Sequence, residues 1–235
     1  MNIKEFPLLP TTVFKNCFNL DNLEKIKNEI HSENICGPHV NKWGGENNGK
    51  PYSNRYQGNW NNPSLRQLIL SGLPSIISHN IIVESIIHLQ SLVPYEFHCD
   101  YGWLRPSNDE CPFVVVVIPF ETIDAKTIVC NQYMHGLHFT HYKEQSAPLP
   151  VEQQMTEEEY LKYFSHCWPQ ERPYISIDKI FEWEAGSALV LDHRYIHASD
   201  NFLKHGLTEK NCISIFSTIK RENYHKVLET LKEQS

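Results

Sequence analysis

The sequence predicts a mainly β fold with flanking helices, in which a jelly-roll core follows N-terminal helices and precedes a C-terminal helix. Helical periodicity is concentrated in the first 80 residues, short β-branched segments follow, and an amphipathic segment ends the chain. No repeat or low-complexity tract marks a linker. We therefore expect a single domain over residues 1–235, with a β core at about 81–219 and an N-terminal flank at 1–80.

Two helices are predicted in the N-terminal flank. Residues 21–31 carry apolar side chains at helical spacing, and a second helix begins after Asn62, a good N-cap, and breaks near Gly72. Residues 39–62 are long and polar for a connection, and they are predicted to be either a lid over a pocket or an irregular surface segment. The aromatic residues of this segment are Trp43, Tyr52, Tyr56 and Trp60.

Six segments rich in β-branched residues predict the strands of the core. They are residues 81–93, 113–118, 127–130, 174–177, 188–191 and 212–219. Residues 134–172 are predicted to be an insertion, with a helix that a capping box opens at Thr156 and that runs through Cys167. A last helix is predicted over residues 223–232.

Composition limits the classes of partner and compartment. With 21 Lys and Arg against 28 Asp and Glu, the net charge of −7 argues against a dedicated nucleic-acid binder. The seven cysteines are scattered and odd in number, as in a chain with free thiols, so we expect a cytoplasmic protein. No apolar run is long enough to span a bilayer and no signal peptide is evident, so no membrane partner is expected.

His98 and Asp100 are the first candidate site residues. In an extended strand they share one face and Cys99 points away from it. A second imidazole, from His197 on a distant strand, would complete a set of two histidines and one carboxylate. That set suits non-haem Fe(II) and leaves open positions for a co-substrate and oxygen.

Other histidines admit competing interpretations. His193 and His197 are four residues apart, as in a helical zinc pair, but the apolar strand pattern before them argues against a helix. We therefore interpret His193 as a residue beside the site or on the surface. His135, His138 and His141 recur every third residue in the predicted insertion, and we interpret them as incidental rather than as a second metal cluster.

The pair His98 and Asp100, followed by a strand that Gly186 opens and then by His197, resembles the Fe(II)/2-oxoglutarate-dependent oxygenase superfamily. The resemblance covers about residues 81–218 and implies a double-stranded β-helix of the cupin type. It also implies that the two histidines and Asp100 bind Fe(II), with 2-oxoglutarate and O2 as co-substrates. The implied reaction hydroxylates or otherwise oxidises a C–H bond and releases succinate and CO2. Halogenating relatives have a small residue in place of the carboxylate, so Asp100 favours hydroxylation.

The resemblance further implies a basic residue that binds the distal carboxylate of 2-oxoglutarate. Lys210 lies near the usual position, at the start of the last core strand, with Ser214 on the same face as a second donor. Many relatives have Arg-x-Ser here, and this chain departs from that pattern. The alternative anchors are Arg194, Arg105 and Lys126, with Tyr133 as a candidate hydroxyl donor.

Three functions remain open from the sequence. The first is a 2-oxoglutarate-dependent dioxygenase acting on a small metabolite or a protein side chain. The second is a metal-dependent cupin enzyme that does not use 2-oxoglutarate, and the third is a non-catalytic jelly-roll binding module. Retention of the complete ligand set argues against the third, and the fold alone does not distinguish the first two.

Overall fold

The computed structural model describes residues 6–32, 36–39, 52–100, 110–134 and 147–235, with only the backbone for 36–39 and 110–113. Ten strands lie in these ranges: β1 Thr12–Phe14, β2 Cys36–His39, β3 Ser53–Gly58, β4 Ile81–Ser91, β5 Glu110–Pro119, β6 Lys126–Tyr133, β7 Ile177–Glu182, β8 Ala188–Asp192, β9 Tyr195–Ser199 and β10 Lys210–Lys220. The helices are α1 Leu20–Ser32, α2 Pro63–Gly72, α3 Ser75–Ser78, α4 Glu157–Tyr163 and α5 Tyr224–Gln234.

The strands form two antiparallel sheets. The larger sheet has the order β1-β8-β5-β10-β4-β3-β2, and the smaller has the order β7-β6-β9. Strands that are distant in the sequence pair with each other, as β10 does with both β4 and β5. The predicted mainly β fold with a jelly-roll core and flanking helices is confirmed.

Apolar side chains form three layers that explain this arrangement. The outer face of the larger sheet packs against α1, α2, α3 and α5, and the outer face of the smaller sheet packs against α4. Between the sheets, residues of β5, β8 and β10 pack against residues of β6 and β7. Side chains that alternate along each strand therefore divide between a helix-covered face and the interior of the barrel.

Local sequence signals produce several of these elements as predicted. The Asn62 side chain accepts hydrogen bonds from the backbone N–H groups of Ser64 and Leu65, and α2 ends at Gly72. β5 is buried on both faces from Val114 through Ile118 apart from one partly exposed position, as its unbroken apolar run predicted. In the described residues no helix has the length and hydropathy needed to cross a membrane.

The end of the segment at 39–62 forms a strand, which neither prediction for it included. Residues 53–58 are strand β3, paired with β4 and not part of a lid. Tyr56 stacks on His88 and His31 against α1, and Trp60 packs on the helix-covered core. These two aromatic rings therefore lie outside the barrel. Trp43 lies outside the described residues.

Two boundaries in the second half were also predicted wrongly. α4 ends at Tyr163 rather than Cys167, because the chain turns there and Ser165 contacts Asn201 of the barrel. The strand predicted at 174–177 begins only at Ile177, because residues 169–174 form a 3₁₀ turn that contains two prolines.

Candidate active site

His98, Asp100 and His197 converge at one end of the barrel interior. One potential ligand atom from each residue lies within 4.8 Å of the other two. The His197 Nε2 is 3.4 Å from one Asp100 oxygen, and the His98 Nε2 is 4.0 Å from the other. The structure thus brings together the three residues that the sequence selected, in a group that can hold one metal ion.

Backbone pairing, rather than a continuous strand, holds the first two residues. His98 forms an isolated antiparallel bridge with His197, through two hydrogen bonds of 3.0 and 2.8 Å. His98 is therefore not a continuation of the strand predicted at 81–93, since β4 ends at Ser91. The alternation still holds locally, because Cys99 points into the apolar layer under α4.

His197 lies on β9 and not at the end of the strand that Gly186 opens. Gly186 has a φ of 76°, and a Cβ there would lie 2.0 Å from the Phe18 carbonyl oxygen, so the turn before β8 requires glycine. After β8 the chain turns at residues 193–194 and enters the smaller sheet. That crossing from one sheet to the other carries His197 to His98.

Both imidazoles are oriented by a carbonyl two residues earlier in the chain. The His98 Nδ1 lies 2.7 Å from the Glu96 carbonyl oxygen, and the His197 Nδ1 lies 3.1 Å from that of Tyr195. A proton on each Nδ1 satisfies these contacts and leaves each Nε2 lone pair directed at the centre. This is the tautomer that a metal ligand needs.

The three groups strongly perturb each other's ionisation. Burial lowers the pKa of His98 to about 4, and the positive charge of His197 acts in the same direction. Burial alone would raise the pKa of Asp100, but the two histidines outweigh it and bring the value to about 2. Burial also opposes the charge on His197, yet Asp100 raises its pKa. Asp100 is therefore a carboxylate at neutral pH, as metal binding requires.

The turn after β8 supports Asp100 through a buried charged pair. The Asp100 N–H donates to the His193 carbonyl, so His193 is beside the site and not on the surface. The next residue, Arg194, is 1% exposed and donates to both Asp192 oxygens and to the carbonyls of Phe6 and Pro7. These contacts give Arg194 a structural role, which excludes it as the anchor for a co-substrate.

Lys210 has the opposite surroundings. It begins β10, is 4% exposed, and its ammonium contacts the Lys126 carbonyl and the faces of Trp183 and Phe202. Among the described residues no carboxylate lies within 4.0 Å of its Nζ. Burial lowers the pKa of Lys210 from its usual 10.5 to about 8. A shift of that size corresponds to a penalty of about 3 kcal/mol on the charged form.

Two hydroxyl groups project into the barrel interior, one from each sheet. Ser214 is buried two positions beyond Cys212 on β10, with its Oγ 3.7 Å from the Cys212 Sγ. Ser199 is 5% exposed and lies on β9 two residues after His197. Its Oγ is buried with no hydrogen-bond partner among the described residues. Ser199 was not among the site residues predicted from the sequence, although strand alternation from His197 places the two on one face of β9.

The remaining candidates fit the site less well. Tyr133 is 47% exposed at the end of β6, and Lys126 forms ion pairs with Asp124 and Glu182. Arg105, His135, His138 and His141 lie outside the described residues.

Comparison with solved structures identifies proteins of the same fold. SnoK, a non-haem α-ketoglutarate-dependent carbocyclase from nogalamycin biosynthesis, aligns with a TM-score of 0.58 at 14% identity, over 92% of this chain and 83% of its own. SnoN, an α-ketoglutarate-dependent epimerase from the same biosynthesis, aligns with a TM-score of 0.51 at 9% identity, over 90% of this chain and 79% of its own. HygX from Streptomyces hygroscopicus, solved with nickel and 2-oxoglutarate, aligns with a TM-score of 0.51 at 14% identity, over 91% of this chain and 83% of its own.

These likenesses confirm the fold that the resemblance implied. The chain has the fold of non-haem 2-oxoglutarate-dependent enzymes, with a double-stranded β-helix core. Neither a protein-family model nor a curated protein sequence matches this chain.

Proposed function

We propose that this chain is a non-haem Fe(II)- and 2-oxoglutarate-dependent dioxygenase that oxidises a C–H bond of a small molecule and releases succinate and CO2. The observation that carries the proposal is a pairing inside one barrel. A two-histidine, one-carboxylate group lies at one end, and the buried ammonium of Lys210 projects into the same interior from the other sheet. No described carboxylate lies within 4.0 Å of that ammonium, and Asp200 attracts it only from farther away.

Each end of 2-oxoglutarate finds a suitable group in this interior. His98, Asp100 and His197 would hold the iron, which supplies oxygen activation and accepts the keto acid end of the co-substrate. Lys210 would pair with the distal carboxylate, and the Ser199 and Ser214 hydroxyls would donate hydrogen bonds nearby. A carboxylate within hydrogen-bond distance of Lys210 would offset the cost of burying its ammonium, to which Asp200 contributes only a more distant attraction. The residues present therefore fit the group.

The rest of the barrel excludes water and holds these groups in place. Trp183 and Phe202 close the interior around Lys210, which strengthens its attraction for an anion. The bridge between His98 and His197 and the Asp100 contact to His193 hold the metal ligands before any ion binds. Such preorganisation lowers the cost of assembling the site.

The neighbours of the same fold carry out different reactions. They include a carbocyclase and an epimerase, so reactions in this fold are not limited to hydroxylation. We favour hydroxylation because Asp100 completes the ligand set. The five described cysteines are free, which suits an enzyme of the cytoplasm.

The first experiment adds Fe(II) and then 2-oxoglutarate to the metal-free protein without oxygen, and records the visible metal-to-ligand charge-transfer band. We expect stoichiometric Fe(II) binding and a band that saturates with 2-oxoglutarate. Fe(II) binding without the band would favour a cupin enzyme that does not use 2-oxoglutarate. Absence of Fe(II) binding would leave a non-catalytic jelly-roll module.

Asp100→Ala tests the assignment of the metal ligands, and Asn131→Ala is its matched control. We expect Fe(II) binding to fall by at least about a hundredfold while the circular dichroism spectrum is unchanged, because strand pairing does not depend on the ion. Asn131→Ala, an exposed change on β6, should bind Fe(II) like the wild type. Normal Fe(II) affinity in Asp100→Ala would disprove the assignment of the ligands.

A further inference from the structure

Arg55 is an inward-facing cation that the reaction described above does not use. Its strand β3 pairs with β4, which places Arg55 directly opposite Leu89, and Leu89 lies opposite Cys212 of β10. Residues opposite each other in antiparallel strands project from the same face of a sheet. Leu89 and Cys212 belong to the layer between the sheets, so Arg55 projects to the barrel interior as well.

Two hydroxyl groups lie beside the guanidinium. The Arg55 Nη2 is 3.4 Å from the Tyr95 hydroxyl, which is 2.6 Å from the Ser53 hydroxyl. Tyr95 in turn places this group next to the metal ligands, because its ring centroid is 5.7 Å from that of His98. Arg55, Tyr95 and Ser53 therefore form a row of hydrogen-bond donors along one wall, which we call the Arg55 row.

The proposed co-substrate site is complete in charge without Arg55. In the loaded site, the charges of Fe(II) and Lys210 are balanced by Asp100 and the two carboxylates of 2-oxoglutarate. Co-substrate binding thus does not require Arg55.

The overall charge of the chain makes a local cation important for an anionic ligand. The chain carries a net charge of −7, so long-range attraction does not concentrate anions at its surface. A guanidinium inside the barrel, flanked by hydroxyls, provides the planar fork that binds carboxylates and phosphates through paired hydrogen bonds.

We propose that the Arg55 row binds an acidic oxyanion group, a carboxylate or a phosphate, of the primary substrate and so orients its C–H bond toward the metal site. The inference rests on the proposed function and adds a substrate class to it. Neutral analogues of the same shape are then poor ligands, because they cannot form charge-assisted paired hydrogen bonds with the guanidinium.

The test titrates the anaerobic protein, loaded with Fe(II) and saturating 2-oxoglutarate, with matched probes and measures binding by calorimetry. The pairs are benzoate and benzamide, N-acetylglycine and N-acetylglycinamide, and phenyl phosphate and phenol. We expect the anion to bind at least about tenfold more tightly than its neutral partner in one or more pairs. Arg55→Gln should abolish that preference, and Arg55→Lys should retain part of it.

Two further variants make the result specific to the Arg55 row. Tyr95→Phe keeps the ring beside His98 and removes one donor, so it should weaken anion binding severalfold. Arg66→Gln removes an exposed arginine of α2 and should have no effect. In all of these variants the Kd for 2-oxoglutarate should stay within about twofold of the wild type.

Three results would overturn the inference. The first is equal binding of the anion and the neutral compound in every pair, and the second is an unchanged preference in Arg55→Gln. The third is a 2-oxoglutarate Kd raised by Arg55→Gln as much as by Lys210→Met, which would make Arg55 part of the co-substrate site. Failure of the proposed function has a different signature, because the charge-transfer band is then missing from the wild type before any probe is added.

Discussion

Arg194 and Lys210 are buried cations of the same barrel with opposite surroundings. Arg194 donates to both oxygens of Asp192 and to two backbone carbonyls, whereas Lys210 contacts one carbonyl and two aromatic faces. Removing a cation whose donors are satisfied within the chain leaves its partner carboxylate buried and unpaired, which destabilises the fold. Lys210 has only the more distant attraction of Asp200 to offset the desolvation of its ammonium, and a bound carboxylate would offset more of that cost. The partners of the two cations therefore identify Arg194 as a structural residue and Lys210 as a candidate binding residue, a distinction that their positions in the sequence do not show.

The largest expected effect is on stability at Arg194. Arg194→Met would leave Asp192 as a buried carboxylate without its partner, so we expect the free energy of unfolding to fall by about 3–5 kcal/mol in urea denaturation. Arg221 is an exposed arginine that lies over the Phe6 ring. Arg221→Met should change the free energy of unfolding by less than about 1 kcal/mol. Equal losses in the two variants would contradict the structural role of Arg194.

At Lys210 the expected effect is on ligand affinity. Lys210→Met should raise the Kd for 2-oxoglutarate by about a hundredfold, because the distal carboxylate would be buried without a charge partner. Its stability without ligand should stay within about 1 kcal/mol of that of the wild type, since the penalty on the buried ammonium disappears together with its attraction for the buried Asp200. Calorimetry and urea denaturation measure the two quantities. A destabilised variant that binds 2-oxoglutarate normally would reverse the comparison.

The pH dependence of 2-oxoglutarate binding tests whether the charge of Lys210 is needed for that binding. Burial lowers the pKa of Lys210 to about 8, so its ammonium is present below that pH and is lost above it. The Kd should be flat below about pH 8 and then rise by up to about tenfold per pH unit. Lys210→Arg should remove this inflection because a guanidinium stays charged. A wild-type Kd that is constant up to about pH 9.5 would refute the prediction.

The smallest expected effect concerns the N-terminal segment that Arg194 holds. The Tyr224 hydroxyl on α5 donates to the same Pro7 carbonyl that accepts from Arg194. Tyr224→Phe should lower the free energy of unfolding by about 1 kcal/mol, since Arg194 still satisfies that carbonyl. A loss as large as that in Arg194→Met would show that Tyr224, rather than the charged pair, secures the segment.

Local signals explain which predictions succeeded. The Asn62 cap, the capping box at Thr156 and the apolar run of β5 act within a few residues, so the sequence was sufficient to predict them. The fold class followed from the same signals. The strand predicted at 174–177 begins late because the two prolines of the preceding 3₁₀ turn delay it. The end of α4 was misjudged because a contact with Asn201, distant in the chain, accompanies the turn there.

The site was predictable only in part for a related reason. His98 and Asp100 were recognisable as a pair because strand alternation places residues two apart on one face. Arg194 and Lys210 looked equally suitable as anchors, since both are basic residues near His197 in the sequence. Residues 39–62, which include Arg55, were predicted to be a lid or an irregular surface segment, because the composition of a polar segment does not show that its end pairs with β4.

The sequence by itself determined the chemistry available to this protein: a mainly β chain with flanking helices, two imidazoles and a carboxylate at family-like spacing, and a surplus of acidic charge. The tertiary structure alone decided which charged groups meet. Pairing between β3, β4 and β10 turned Arg55 into the barrel, and the N-terminal segment engaged Arg194. These outcomes depend on contacts between residues far apart in the chain, and local patterns carry no information about such contacts.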